Sequence, residues 1–89
     1  MRRAAKIDIN QGDIVLALRR AGCTVFPTHM VGHGFPDIVV GRHDKNWLME
    51  IKSDSGKLTP DERVFFADWR GQVCVVRSAD EALKVVGLL

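Results

Sequence analysis

The sequence predicts an α/β domain, and three observations carry that expectation. Two largely apolar, β-branched stretches, 34–40 and 48–52, flank a short polar stretch at 41–46. A further continuous apolar run occupies 73–76. Capped stretches with apolar residues at helical spacing stand before, between and after these runs. The order that follows is helix, three strands, helix, strand, helix. At 89 residues and 46% hydrophobic composition the chain has room for one core, so 1–89 reads as a single domain, with 1–7 as a flexible basic tail.

Asn10 with Asp13 three residues on imitates a capping box, so the first helix should start near Gln11. Ile14, Leu18 and Ala21, with Ala17 beside them, form its apolar stripe. Arg19 and Arg20 suit its last turn, and Gly22 its C-terminal cap. Residues 24–31 read as a strand, with Pro27 marking an edge or a bulge. Gly32-His33-Gly34 then forms a flexible crossing. The two following runs are close enough for an antiparallel hairpin. Thr59, Pro60 and Glu62 make a Thr-x-x-Glu start for the second helix, whose Val64, Phe65, Phe66, Ala67 and Trp69 form a wide apolar surface, with Gly71 as its stop. The run at 73–76 should be a central strand, parallel to an earlier one after the helical crossover. Ser78 caps a third helix carrying Ala82, Leu83, Val86 and Leu89.

Within the hairpin sit groups that strands normally avoid: Asp37, Glu50 and Lys52. Side chains alternate along a strand, so Glu50 and Lys52 share one face and Met49 and Ile51 the other. A turn centred on His43-Asp44 sets Asp37 opposite Glu50; one centred on Asp44-Lys45 sets it opposite Lys52. Either register keeps all three on one face, with opposed pairs roughly 4.5–5.5 Å apart at Cβ. Two acids that close repel unless a positive charge stands between them, and the candidates are a hard divalent cation and the Lys52 ammonium. The alternative is a surface ion pair of Asp37 and Lys52 with Glu50 in solvent.

Pro36-Asp37, then Glu50-Ile51-Lys52 thirteen residues on, resembles the PD-(D/E)xK nuclease signature. Asp8-x-Asn10-Gln11, Gly34-x-Pro36-Asp37, Lys57-Leu58-Thr59-Pro60-Asp61, Trp69-Arg70-Gly71-Gln72 and Val75-Val76-Arg77-Ser78 extend the resemblance to the compact, phage-type members of its VRR-NUC branch, from about Asp8 to Gly87. The resemblance implies a restriction-endonuclease-like αβββαβ core followed by a C-terminal helix. It also implies that Asp37 and Glu50 bind metal, that Lys52 orients the attacking water, and that Gln11 supports the site from the first helix. In this chain Glu62 stands where such members commonly carry glutamine, as an added metal ligand or a helix cap. The expected activity is Mg²⁺-dependent endonucleolytic hydrolysis of DNA, with Mn²⁺ able to substitute and branched DNA of the Holliday-junction type as the substrate. A flap- or end-directed nuclease and a catalytically silent DNA-binding module are the alternatives. The Ile51 backbone carbonyl would complete the metal shell, and His33, Arg77 and Lys57 are candidate DNA contacts.

Net charge is +2, with eight Lys/Arg against five Asp/Glu in residues 1–52, a mild basic bias that fits a phosphate-binding face. No phosphate-cradling Gly-rich loop occurs. Cys23 and Cys74 lie far apart and form no metal or redox motif, so they read as reduced core residues. With no long apolar run, a cytoplasmic protein with no membrane partner is expected, and the phage-type resemblance suits a phage or prophage origin. His29 and His33 are poor joint zinc ligands, since four residues of strand span roughly 13 Å. The apolar surface of the second helix suggests a twofold homodimer.

Overall fold

The computed structural model describes residues 10–89; the basic tail at 1–7 and Asp8 lie outside them. The chain folds as mixed α/β, with three helices and one four-stranded mixed sheet. Helix α1 spans Gln11–Arg20, β1 Thr24–Pro27, β2 Ile38–Arg42, β3 Lys45–Ile51, α2 Pro60–Asp68, β4 Cys74–Val76 and α3 Ala79–Val85, with a single 3-10 turn at His29–Val31. In the sheet the strands lie in the order β1-β2-β3-β4. β1, β2 and β3 pair antiparallel, and β4 joins β3 in parallel after the α2 crossover.

Alternation along the strands decides what each face of the sheet does. Val25, Ile38, Val40, Met49, Ile51 and Val76 point to one face, where Ile14 and Leu18 of α1 and Ala82 and Val86 at α3 complete a buried core. Val39 and Leu48 point to the other. Phe26, on β1, is 73% exposed.

Some local expectations meet competing interactions. Residues 24–31 are strand only as far as Pro27, and β1 is an edge strand, where the missing N–H costs no ladder bond. Beyond it Thr28 turns inward: its N–H donates to Asp37 O (2.7 Å) and its hydroxyl to Pro36 O (2.7 Å). The run at 73–76 is likewise an edge rather than a central strand. It is apolar because Val76 meets the core, while Gln72 carries the pairing further by side chain. The Gln72 amide accepts from Leu48 N (2.6 Å) and donates to Leu48 O (3.2 Å), in the manner of another strand rung. Ala21 is exposed, so the buried stripe of α1 is Ile14 and Leu18 with Gln11 at its head. Leu89 is also exposed, because α3 stops at Val85. Helix α2 ends ahead of Gly71: Trp69 is already extended at its C-cap, and the Trp69 indole N–H bonds Gln72 O.

The hairpin closes on His43-Asp44 with φ of 51° and 62°, the paired left-handed geometry of a two-residue turn that usually uses Asn-Gly. This is the first of the two registers considered above. Helix α2 buries none of its residues. Its Phe65 meets Phe35 edge-on at 5.4 Å and stacks on Trp69 at 5.0 Å. At its first turn Gly34 passes so close that a Cβ there would lie 2.3 Å from Asp61 O. Glycine at 34, with φ of +78°, therefore sets how near α2 can come to the sheet.

Candidate active site

Asp37 stands one residue ahead of β2, and its backbone N–H still donates to Met49 O (3.0 Å). Because Ile38 pairs with Met49, Asp37 lies opposite Glu50. Both acids thus project from the sheet face turned away from α1 and α3. Asp37 Oδ2 accepts from Ile51 N (2.8 Å), which fixes the carboxylate at the end of the ladder. The next residue back is Pro36, buried and without an N–H, so the antiparallel pairing stops here. The Ile51 carbonyl lies just past its last rung.

Glu50 is only 2% exposed, and its Oε1 has no hydrogen-bond partner. This excludes the surface arrangement in which Glu50 is solvated and Asp37 takes the lysine. Lys52 instead bridges Glu50 Oε2 (3.3 Å) and Glu62 Oε1 (2.8 Å). Glu62 arrives from the first turn of α2, where its Oε1 also accepts from Thr59 N (2.8 Å) and its N–H donates back to Thr59 Oγ1. The expected capping box is therefore formed, and the same carboxylate both caps the helix and holds the lysine.

Burial, with Glu62 and Asp37 as neighbours, pushes Glu50 up to about 9. Burial also raises Asp37, against the opposing pull of the Ile51 N–H. For Glu62, burial is outweighed by the Lys52 ammonium and the Thr59 N–H, so its carboxyl falls below the ordinary glutamate value. Burial alone would lower Lys52, but Glu62 and Glu50 hold its ammonium above the ordinary lysine value. Of the two ion pairs Lys52 makes, the one to Glu62 is the shorter. The longer contact faces the carboxyl that burial holds above its ordinary value.

The remaining candidates are unequally placed. Gln11 is buried at the start of α1, its Oε1 without a hydrogen-bond partner. Its neighbour Asn10 does not cap the helix by its side chain; the Asn10 amide donates to Lys52 O (3.1 Å) and Arg77 O (3.2 Å). That clamp across the ends of β3 and β4 brings the start of α1 to the site. It was not foreseen, because an Asn one residue before a helix normally signals capping. Arg77 Nη1 donates to the carbonyls of Ser53 and Gly56, so its guanidinium holds the loop after Lys52. His33 and Lys57 are exposed in loops that flank the site residues in sequence. His29 sits in the 3-10 turn, and its Nδ1 is buried without a partner.

Comparison with protein-family models, with curated proteins and with solved structures finds no match. What the arrangement can do must therefore be read from its chemistry. Three carboxylates and one ammonium leave a formal −2 when all are ionised, which a divalent cation would balance. The donors, Asp37, Glu50 and the Ile51 carbonyl, are hard oxygens, and the partnerless Glu50 Oε1 has a lone pair to give. Among the described residues no three His, Cys, Asp or Glu side chains are grouped to enclose a metal. The donor set fits an ion that keeps much of its water, as Mg²⁺ does, rather than a closed structural site.

Proposed function

We propose that this chain is a metal-dependent endodeoxyribonuclease of the PD-(D/E)xK type, with a restriction-endonuclease-like core, in the VRR-NUC branch. The observation that carries the reading is a glutamate, Glu50, buried opposite Asp37 and bridged through Lys52 to a third acid. A fold gains no stability from such a cluster, since burying like charges costs several kcal/mol where counter-charge is incomplete. Chemistry that needs a cation is its natural use.

In this reading Asp37, Glu50 and the Ile51 carbonyl hold Mg²⁺, or Mn²⁺ in its place. When bound, the ion supplies water of lowered pKa and neutralises charge that builds on the phosphate. Asp37 is aimed by the Ile51 N–H, so its free lone pairs have a fixed direction. Lys52 remains an ammonium, which suits it to orient water and stabilise the phosphate oxygens and not to take a proton. Glu62 keeps Lys52 charged and in place. Gln11 adds a second buried oxygen without a partner at the start of α1, next to the Asn10 that bonds Lys52 O.

The substrate is DNA, with branched, Holliday-type structures proposed as the preferred form and a homodimer as the acting species. Support for the dimer comes from α2, which buries none of its residues and exposes Val64 by 60% and Trp69 by 41%. A twofold pair would present one site to each of two opposed strands. The test is cleavage of labelled junctions, flaps and linear duplexes in Mg²⁺ and in EDTA, with light scattering on the same preparation. Metal-dependent cutting of junctions by a dimer is expected. Metal-dependent cutting of flaps or ends alone would redirect the specificity, and binding without cutting would make the chain a silent module.

A further inference from the structure

The hairpin tip, at the far end of β3 from Glu50, carries a second concentration of chemistry. A pocket of about 580 Å³ is lined there by Arg42, His43, Lys45 and Trp47, with the Val85–Gly87 end of α3. Arg42 pairs with Lys45 and Val40 with Trp47. Because Val40 is a core residue, all three of Arg42, Lys45 and Trp47 belong to the α1/α3 face of the sheet, opposite the acids. Arg42 Nη1 donates to Val86 O (2.8 Å), which fixes its guanidinium over Gly87. Among the described residues neither Arg42 nor Lys45 has a carboxylate partner, both ion pairs there being made by Lys52. Asp44 is the one acid in the turn, and it does not line the pocket. Trp47 is half-buried against the core and forms part of the pocket lining.

Unpaired cations beside a held indole match a phosphate joined to a planar base. We propose that this pocket is a second nucleic-acid contact, which takes a phosphodiester on Arg42 and Lys45 and a base against Trp47. From Lys45 to Glu50 the strand runs roughly 17 Å, and the sheet itself lies between the two faces. A straight duplex seated on the acids cannot reach the hairpin pocket. Its occupant is a separate arm or an unpaired strand, and an unpaired strand best frees a base to stack. Strand binding here needs no cleavage, so its failure and that of the nuclease reading are read separately.

The chain has two tryptophans, so Trp69→Phe leaves Trp47 as the sole reporter. Titrated in EDTA with an eight-residue oligothymidylate, that variant should show saturable quenching of indole fluorescence. Adding Lys45→Ala should weaken binding about fivefold and reduce the salt slope by about 0.7, one phosphate on a single strand. Thymidine monophosphate should bind far more weakly than the oligomer, and an octaglutamate peptide should not quench. Absent quenching, an unchanged slope in Lys45→Ala, or equal binding of the mononucleotide or the peptide would overturn the proposal. Quenching in a preparation that does not cut DNA would leave the strand contact standing without the nuclease.

Discussion

Replacing Glu50 by Gln should stabilise the metal-free protein at neutral pH, although it removes a central side chain of the site. The carboxyl is 2% exposed and its pKa is raised from 4.5 to about 9. An acid raised in this way contributes stability that is fully present below pH 4.5 and is lost as pH climbs toward 9. Between pH 4.5 and 7 the loss at 1.36 kcal/mol per unit comes to about 3 kcal/mol. Relaxation around the cluster, and solvent reaching Lys52 and Glu62, return about half of it. Glutamine mimics the protonated acid in shape and cannot ionise. Glu50→Gln should therefore gain on the order of 1–2 kcal/mol at pH 7, a rise of several degrees in Tm for a domain of this size. Thermal unfolding in EDTA, followed by circular dichroism from pH 4.5 to 8.5, reads this directly. Wild-type Tm should fall across the range relative to the variant, and the two should converge at the acid end. Saturating Mg²⁺ should raise wild type alone. A variant less stable than wild type at pH 7, or parallel pH profiles, would refute the argument that Glu50 is an uncompensated buried acid.

Three further substitutions separate the roles of the surrounding residues. Lys52→Ala should lower turnover about 10²–10³-fold while calorimetry finds Mg²⁺ affinity little changed; a large loss of metal binding would contradict its assignment to water and phosphate. Arg77→Ala should cost about 1–2 kcal/mol, since the carbonyls of Ser53 and Gly56 lose their donor. Denaturant unfolding checks that figure, and an unchanged midpoint with weakened DNA binding would return Arg77 to a phosphate contact. Gly34→Ala, with φ at +78° and a Cβ 2.3 Å from Asp61 O, should cost about 2 kcal/mol and displace Glu62 from Lys52; a fully active, equally stable variant would show that α2 is not held at this point.

The hairpin and the facing of Asp37, Glu50 and Lys52 were legible because period-two alternation and turn length act locally. Residue patterning alone left two registers open, and the left-handed His43-Asp44 turn selected between them. The Thr59–Glu62 box was also readable, since every part lies within four residues. What could not be read depends on contacts distant in sequence. Asn10 carries a helix-start signal, yet its amide serves carbonyls 42 and 67 residues away. Glu62 was visible as a cap and as a departure from glutamine. Its pairing with Lys52 required Gly34 to admit α2 to within van der Waals reach of the sheet end. Residues 73–76 looked central because they are apolar throughout, but a hydrophobic run does not report its neighbours. The Gln72 side chain extends its inner pairing to Leu48 of β3, and among the described residues no fifth strand pairs on its outer edge.

The most direct measurement of the central claim is cleavage of a labelled four-way junction by wild type and Asp37→Asn, each in Mg²⁺ and in EDTA. Asn at 37 can still accept the Ile51 N–H, so the fold and DNA binding should persist while the charge that holds the cation is gone. Wild type with Mg²⁺ should cut, and the EDTA sample and the variant should fall by more than about 10³-fold. Equal cutting by the variant, or cutting that survives EDTA, would contradict a metal site built on Asp37 and Glu50.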